Sequence, residues 1–194
     1  MAEQYRFWYC SAMIKEARKT YRERLFEVAQ NNHGFVTTKD AVRLGIPTIE
    51  LRKLAHRGKL EHVSRGVYQF EQLTGSANES FLRATLHVGV DAYLTADAVL
   101  AVHDLANVNP KVIRVGTAKR TRQAIPKGIE LMKTDALPQE IEVRNGIKMT
   151  RVARAIIDSK HLVMRERLQR ALEDAFERGL VTNNERGLVE LALQ

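Results

Sequence analysis

Eight residues between positions 37 and 65 are candidates for DNA contact, because each carries a positive charge or a hydroxyl group. Lysine and arginine attract phosphates, arginine can also donate two hydrogen bonds to a guanine edge, and threonine can bond to phosphates or bases. These side chains act together only if the local elements present them on one surface. The candidates are Thr37, Thr38, Thr48, Arg52, Lys53, Arg57, Lys59 and Arg65.

The residues around these candidates predict two helices joined by a tight turn. Thr37, with Asp40 three residues later, forms a capping box that begins a short helix, and Gly45 can adopt the left-handed backbone that ends it. Pro47 is tolerated in a first helical turn, so a second helix is expected over about 48–57. The residues expected to form the apolar sides of the two helices are Ala41, Val42, Leu44, Leu51, Leu54 and Ala55.

A hairpin and a preceding helix complete the predicted N-terminal domain. Residues 59–63 and 67–70 alternate as paired strands do, with Arg65 and Gly66 at the tip between them. Residues 18–31 have a helical period, which places Tyr21, Leu25, Val28 and Ala29 on one apolar face. This order predicts a winged helix-turn-helix domain over residues 18–74, preceded by a leader or arm over 1–17.

Each candidate receives a role from its position in this domain. Thr48, Arg52 and Lys53 at the exposed start of the second helix are expected to enter the major groove. The phosphate contacts are assigned to Arg57, Lys59 and Arg65, and also to the hydroxyls of Thr37 and Thr38 beside the helix amides.

The composition of the chain is compatible with a polyanionic partner. The formal net charge is +8 over 194 residues, and residues 1–75 carry 13 basic against 8 acidic residues, which makes +5 for the shorter part. Cys10 is the only cysteine, which excludes an internal disulfide and fits a reducing cytoplasm. No apolar run approaches the ~20 residues that span a bilayer.

Residues 79–194 predict a second, mixed domain, so the expected fold class is α+β. Helices are expected over 79–88, 164–178 and 183–193, and two more should begin at caps formed by Thr95 and Thr150. About four strands are expected over 112–115, 129–132, 141–143 and 147–149, the last two joined by Asn145-Gly146. A loop over 117–128 is a possible secondary basic surface, through Lys119, Arg120, Arg122 and Lys127.

The sequence gives no support for catalysis. A metal-dependent nuclease needs carboxylates that hold a divalent ion and a lysine nearby, usually in a Glu-x-Lys pattern. Asp135 followed by Glu142-Val143-Arg144 is the nearest match, but arginine does not readily release a proton. The histidines are scattered, so we expect no metal, no cofactor and no enzymatic activity.

The stretch from Gly34 to Phe70 resembles the N-terminal domain of AbiEi antitoxins, which belong to bacterial abortive-infection, type IV toxin-antitoxin systems. The resemblance lies in Gly34, Gly45, Gly58 and the sequence Arg65-Gly66-Val67-Tyr68. The later sequence GIKMTRVARAIID, with Arg154 and Asp158, is similar to the segment after the hairpin in the C-terminal domain of those antitoxins.

The resemblance implies a repressor that binds its own promoter at repeated half-sites. It also implies that the C-terminal domain counters a nucleotidyltransferase-type toxin without forming a tight complex with it. Some relatives carry a nuclease-like C-terminal region, but the Glu-x-Lys of that region is absent here.

Two alternatives remain open on the residues alone. A protein-interaction module could use the winged fold as a docking surface, with weak DNA binding that is blind to sequence and sensitive to salt. A metal-dependent nuclease is the less favoured alternative, and it would cleave DNA when magnesium or manganese is added.

Overall fold

The computed structural model describes residues 19–75, 78–89, 91–118, 124–133 and 135–194. Contacts between residues divide the chain into two compact units, Met1–Ser76 and Ala77–Gln194. Within the described residues the fold is α+β, with eight α-helices and two small sheets, which confirms the predicted fold class.

The N-terminal unit combines three helices with three strands. The elements are α1 (Tyr21–Gln30), β1 (Phe35–Thr37), α2 (Thr38–Arg43), α3 (Ile49–His56), β2 (Glu61–Ser64) and β3 (Val67–Gln69), followed by a 3₁₀ turn (Glu71–Leu73). The strands form an antiparallel sheet of order β1-β3-β2, in which β1 was not predicted. The helices α2 and α3 have a helix-turn-helix-like order, and β2 and β3 form the predicted hairpin.

The core of this unit joins one side of each helix to one face of the sheet. The rings of Phe26 and Phe70 meet edge to face, with 5.1 Å between their centroids. Two predicted apolar positions lie outside the core: Val42 is 66% exposed and Tyr21 is 44% exposed. The buried cluster consists of Leu25, Ala29, Val36, Ala41, Ile46, Leu51, Leu60, Tyr68 and Phe70.

The C-terminal unit is built around a five-stranded mixed sheet. The strands are β4 (Tyr93–Leu94), β5 (Ile113–Gly116), β6 (Ile129–Met132), β7 (Ile141–Arg144) and β8 (Ile147–Thr150). Their order in the sheet is β6-β5-β4-β8-β7. The pairs β5–β6 and β4–β8 are parallel, and the pairs β4–β5 and β7–β8 are antiparallel. The prediction missed β4, the central strand, because it is only two residues long.

Five helices and one 3₁₀ turn complete this unit. The predicted helix over 79–88 is confirmed in full, and the predicted helices over 164–178 and 183–193 are each confirmed to within one residue at either end. The helices are α4 (Glu79–Val88), α5 (Asp97–Val102), α6 (Val152–Asp158), α7 (Arg165–Glu177) and α8 (Asn183–Ala192), and the 3₁₀ turn is Pro138–Glu140.

Two predicted helix caps are wrong. Thr95 does not cap α5, whose N-cap residue is Ala96; the Thr95 side chain is buried and its hydroxyl donates a hydrogen bond to Asp158 at 3.0 Å. Thr150 remains in β8, because it pairs with Ile141 of β7, and α6 begins one residue later than a Thr150 cap would place it. Thr95 is held by a partner distant in sequence, and Thr150 is held by the strand pairing of the β7–β8 hairpin.

Candidate nucleic-acid interface

Between α3 and the β2–β3 hairpin lies an open groove of about 810 Å³, which we call the α3–hairpin groove. Three elements surround it: the first turns of α3, the start of α2 and the hairpin. Four of the eight predicted DNA-binding residues line it together. The lining residues are Thr38, Thr48, Arg52, Ala55, His62, Arg65, Gly66 and Tyr68.

The α3 side of the groove is formed by Thr48 and Arg52, which lie four residues apart and therefore on the same helix face. Leu51 is fully buried and fixes the opposite face of α3 in the core. Thr48 is the N-cap residue of α3, but its side chain makes no capping hydrogen bond, so the hydroxyl is available to a ligand. Both Thr48 and Arg52 are exposed.

The hairpin side of the groove presents Arg65 at the turn between β2 and β3. Gly66 follows with φ +76, a left-handed backbone that favours glycine. The register of the β2–β3 pair shifts between His62 and Ser64, an irregularity of the kind that redirects side chains at sheet edges. Within the part of the chain that the structure describes, neither the Arg65 side chain nor the Arg52 side chain forms an ion pair or hydrogen bond.

Thr37 does not line the groove, and its capping box uses its polar atoms. Its backbone amide and hydroxyl donate to the Asp40 carboxylate at 2.9 and 2.7 Å, and the hydroxyl accepts from the Asp40 amide. The predicted box is confirmed, and it places a carboxylate where the phosphate contact was expected. The Thr38 amide donates to the Gly66 carbonyl at 2.9 Å, so of these two threonines only Thr38 retains a side chain in the groove.

Three other predicted contacts lie outside the groove lining. Lys53 pairs with Glu50 at 2.8 Å, which reduces the charge that it offers to DNA. Arg57 and Lys59 are exposed around the end of α3, on either side of Gly58. They can contact a phosphate backbone only beyond the groove.

His62 and Tyr68 line the groove although neither was among the residues predicted from the sequence. They are cross-strand partners in the hairpin, and their rings lie 5.1 Å apart at a tilt of 51°. The alternation of the hairpin could have identified them, since residues opposite each other in a pair of strands share a face.

The predicted secondary basic surface falls largely outside the described residues. Lys119, Arg120 and Arg122 are among the residues that the structure does not describe, so this surface stays a prediction. Lys127 is exposed shortly before β6 in the C-terminal unit.

The nuclease-like residues do not come together as a metal site. Asp135 is 90% exposed and pairs with Arg154, whose hydrogen bond holds the pKa of the Asp135 carboxyl below its usual value. Arg144 donates a hydrogen bond to Nδ1 of His103 at 3.1 Å. No group of three or more potential metal ligands occurs within the described residues.

Arg154 and Asp158, the residues of the second resemblance, form an ion-pair cluster in the C-terminal unit. Nε of Arg154 donates to Asp158 at 2.9 Å, and one terminal nitrogen lies 3.5 Å from Glu140. Three carboxylates thus surround one guanidinium, because Asp135 also contacts it. The cluster connects α6 to the segment that precedes β7.

The described residues thus combine an α+β fold with a helix-turn-helix-like N-terminal unit and a basic groove. The family model described as "Transcriptional regulator, AbiEi antitoxin" matches residues 23–70. The match covers α1 to β3 and confirms the resemblance to AbiEi antitoxins for this part of the chain. That description is of a regulator rather than an enzyme.

A search of curated proteins found no significant match. Among the described residues, no helix is long and apolar enough to cross a membrane.

Proposed function

We propose that the chain is a sequence-specific DNA-binding repressor of its own operon. The observation that carries this proposal is the α3–hairpin groove, which presents two arginines without carboxylate partners among the described residues. The order of α2, α3 and the β2–β3 hairpin is that of a winged helix-turn-helix, with α3 as the recognition helix and the hairpin as the wing.

The recognition role is assigned to Thr48 and Arg52. The major groove of B-DNA is about 12 Å wide and admits an α-helix with its side chains. Since both residues lie at the exposed start of α3, they can reach base edges while Leu51 anchors the helix. Arg52 can donate two hydrogen bonds to a guanine, which is the most common specific contact of arginine with DNA.

The phosphate contacts are assigned to Arg65 and Thr38 within the groove, with Arg57 and Lys59 beyond it. Such contacts fix the position of the protein on the duplex without reading its sequence. Thr37 is removed from the set, because Asp40 occupies its hydroxyl and adds negative charge. Lys53 becomes a minor contributor, because its pairing with Glu50 must be broken before it can hold another anion.

The second part of the proposal is an antitoxin function directed at a nucleotidyltransferase-type toxin. It is supported by the matched family's description as an antitoxin and by the resemblance of residues 146–158 to the C-terminal domain of that family. We assign toxin neutralisation to the C-terminal unit and expect no tight complex with the toxin.

A promoter-reporter experiment tests the repressor function. The chain, supplied in trans, should repress a reporter driven by the DNA upstream of its own gene. Arg52→Ala should relieve this repression, whereas Arg43→Ala should retain it, since Arg43 is exposed, pairs with Asp40 and does not line the groove. Equal repression by both variants would contradict the assignment of the groove.

A growth experiment tests the antitoxin function separately. A nucleotidyltransferase encoded next to this gene should arrest growth alone and become harmless when the chain is co-expressed from an unrelated promoter. Arg52→Ala should still protect, because neutralisation is assigned to the other unit. The antitoxin proposal fails if the wild-type chain gives no protection.

A further inference from the structure

The turn of the β2–β3 hairpin lies against the start of α2. The Thr38 amide donates to the Gly66 carbonyl at 2.9 Å. The neighbouring residues Thr37 and Val67 are partners in the β1–β3 pair. A Cβ atom added to Gly66 would lie 2.9 Å from the Thr38 hydroxyl oxygen and 3.4 Å from the Thr38 methyl carbon. We call this close approach of the Thr38 side chain to the Gly66 backbone the Thr38–Gly66 contact.

A side chain on Gly66 would collide with Thr38 unless one of the two residues shifts, because the added Cβ would lie 2.9 Å from the Thr38 hydroxyl oxygen. Thr38 branches at Cβ, which restricts the rotamers that it can adopt to relieve the collision. Gly66 also has φ +76, where any other residue is strained. Two requirements therefore favour glycine at position 66: the positive φ of the backbone and the short distance to Thr38. Mutations can test the two requirements separately.

We propose that the Thr38–Gly66 contact is a positioning device that holds the wing against the recognition module, so that Arg65 and Arg52 face the same DNA. This inference rests on the proposed DNA-binding function. Gly66 offers no side chain to DNA, but Arg65 is the adjacent residue. A displacement of Gly66 by an ångström moves the guanidinium that should hold a phosphate.

Gly58 provides a matched control for this inference. It has φ +65, similar to that of Gly66, but no atom lies within 4 Å of an added Cβ. Gly58→Ala and Gly66→Ala therefore impose similar backbone strain, and only Gly66→Ala collides with Thr38. Thermal unfolding of both variants measures the strain that they share, apart from any effect on DNA binding.

The central measurement is the contribution of Arg65 to DNA affinity in each background. In the wild type and in Gly58→Ala, the further change Arg65→Ala should lower affinity for the upstream DNA roughly tenfold. In Gly66→Ala, Arg65→Ala should have almost no further effect, because the displaced wing no longer places Arg65 on a phosphate. An Arg65 effect of equal size in all three backgrounds would overturn the inference.

A second substitution tests whether the collision is the cause. Thr38→Ala removes both close atoms and leaves Cβ of residue 38 at 3.7 Å, an ordinary contact distance. In Gly66→Ala/Thr38→Ala, the Arg65 contribution should return to about tenfold, although the Thr38 hydroxyl itself is absent. If the contribution does not return, strain or misfolding explains Gly66→Ala and the inference is wrong.

Two readouts separate this inference from the proposed function. If the wild-type chain does not prefer its upstream DNA to a scrambled duplex, the repressor function fails and the positioning role fails with it. Hydrogen exchange does not depend on DNA: the Thr38 amide should exchange slowly in the wild type and in Gly58→Ala, and faster in Gly66→Ala. Slow exchange of the Thr38 amide in Gly66→Ala would overturn the positioning role of the Thr38–Gly66 contact and leave the repressor proposal intact.

Discussion

Arg52 and Arg65 of the N-terminal unit differ from Arg114 and Arg154 of the C-terminal unit in what surrounds them. Arg52 and Arg65 line an open groove and have no ion-pair partner among the described residues. Arg114 contacts Asp97 at 2.6 Å and Glu130 at 3.2 Å, and Arg154 contacts three carboxylates. The former pair is available to a polyanion, and the latter stabilises its own unit.

On the proposed assignment, net charge alone does not locate the DNA-binding surface. The net charges of residues 1–75 and 76–194 are +5 and +3, both positive, and they do not say which side chains are available to a polyanion. The decisive property is whether a carboxylate already neutralises the cation. Arginines with carboxylate partners should therefore matter for stability and the arginines of the groove for DNA binding, and five predictions test this division.

The largest effect is expected from Arg154→Ala, which leaves Asp158 and Glu140 without their counter-charge. Because Asp158 is largely buried, we expect a loss of about 3–5 kcal/mol in the free energy of unfolding of the C-terminal unit. Lys160→Ala is the control, since Lys160 is exposed and its removal should cost no more than about 0.5 kcal/mol. Urea unfolding followed by circular dichroism measures both, and similar midpoints would contradict the division.

The next effect is a loss of stability in acid that depends on His103. This side chain is buried, and burial together with the positive charges of Arg144 and Arg178 lowers its pKa to about 4. As pH falls from about 6.5 to about 4, the unfolded chain binds a proton at His103 and the folded chain does not, so stability falls, by about 3 kcal/mol at most. His103→Asn keeps an acceptor near the position of Nδ1 for Arg144 but cannot titrate, and should lose less stability over that range. An unchanged pH dependence in His103→Asn would contradict the prediction.

For DNA affinity, the largest effect is expected from Arg52→Ala. It should cost about 1–3 kcal/mol on the preferred sequence and relax the preference at one base pair, if Arg52 reads a base. Its unfolding midpoint should stay near that of the wild type, which is the reverse of the result expected for Arg154→Ala. Binding to a set of operators with single base-pair changes measures the preference.

Arg65→Ala should weaken binding to all sequences alike. Because it removes one phosphate-neutralising charge, the slope of log K against log salt should become shallower by about 0.9. If Arg52→Ala and Arg65→Ala both reduced affinity uniformly across sequences, the assignment of Arg52 to bases and Arg65 to phosphates would be wrong.

The smallest effect is expected from His62→Ala, which removes a side chain from the groove beside Tyr68. The removal of one hydrogen bond to DNA should cost about 1 kcal/mol. Arg43→Ala, which also lies in the N-terminal unit, should have no measurable effect on affinity. An effect of Arg43→Ala as large as that of His62→Ala would show that the DNA-binding surface extends beyond the α3–hairpin groove.

The sequence predicted best those features that depend on neighbouring residues. The Thr37–Asp40 capping box and the Asn145-Gly146 hairpin were both confirmed, because each is decided within four residues. Four of the eight residues that line the groove were predicted from the sequence. Two of them, Thr48 and Arg52, follow from the helical period of α3, which depends only on local spacing.

The features that were missed depend on partners far away in the chain. The strands β1 and β4 have three and two residues and are defined by pairing with β3, β5 and β8. Thr95 looked like a helix cap, but Asp158, 63 residues later, takes its hydroxyl. In the same way, the collision that excludes a side chain from Gly66 becomes visible only when the hairpin folds back on α2.

The most direct test is equilibrium binding of the purified chain to its own upstream DNA and to a scrambled duplex of equal length, titrated across salt. Specific binding usually exceeds non-specific binding by about 10³–10⁷, and the account predicts a preference of at least about a thousandfold near physiological salt. Equal affinities that both disappear near physiological salt would contradict it. The groove would then be a surface with generic attraction for polyanions, and the N-terminal unit would better fit a protein-docking role.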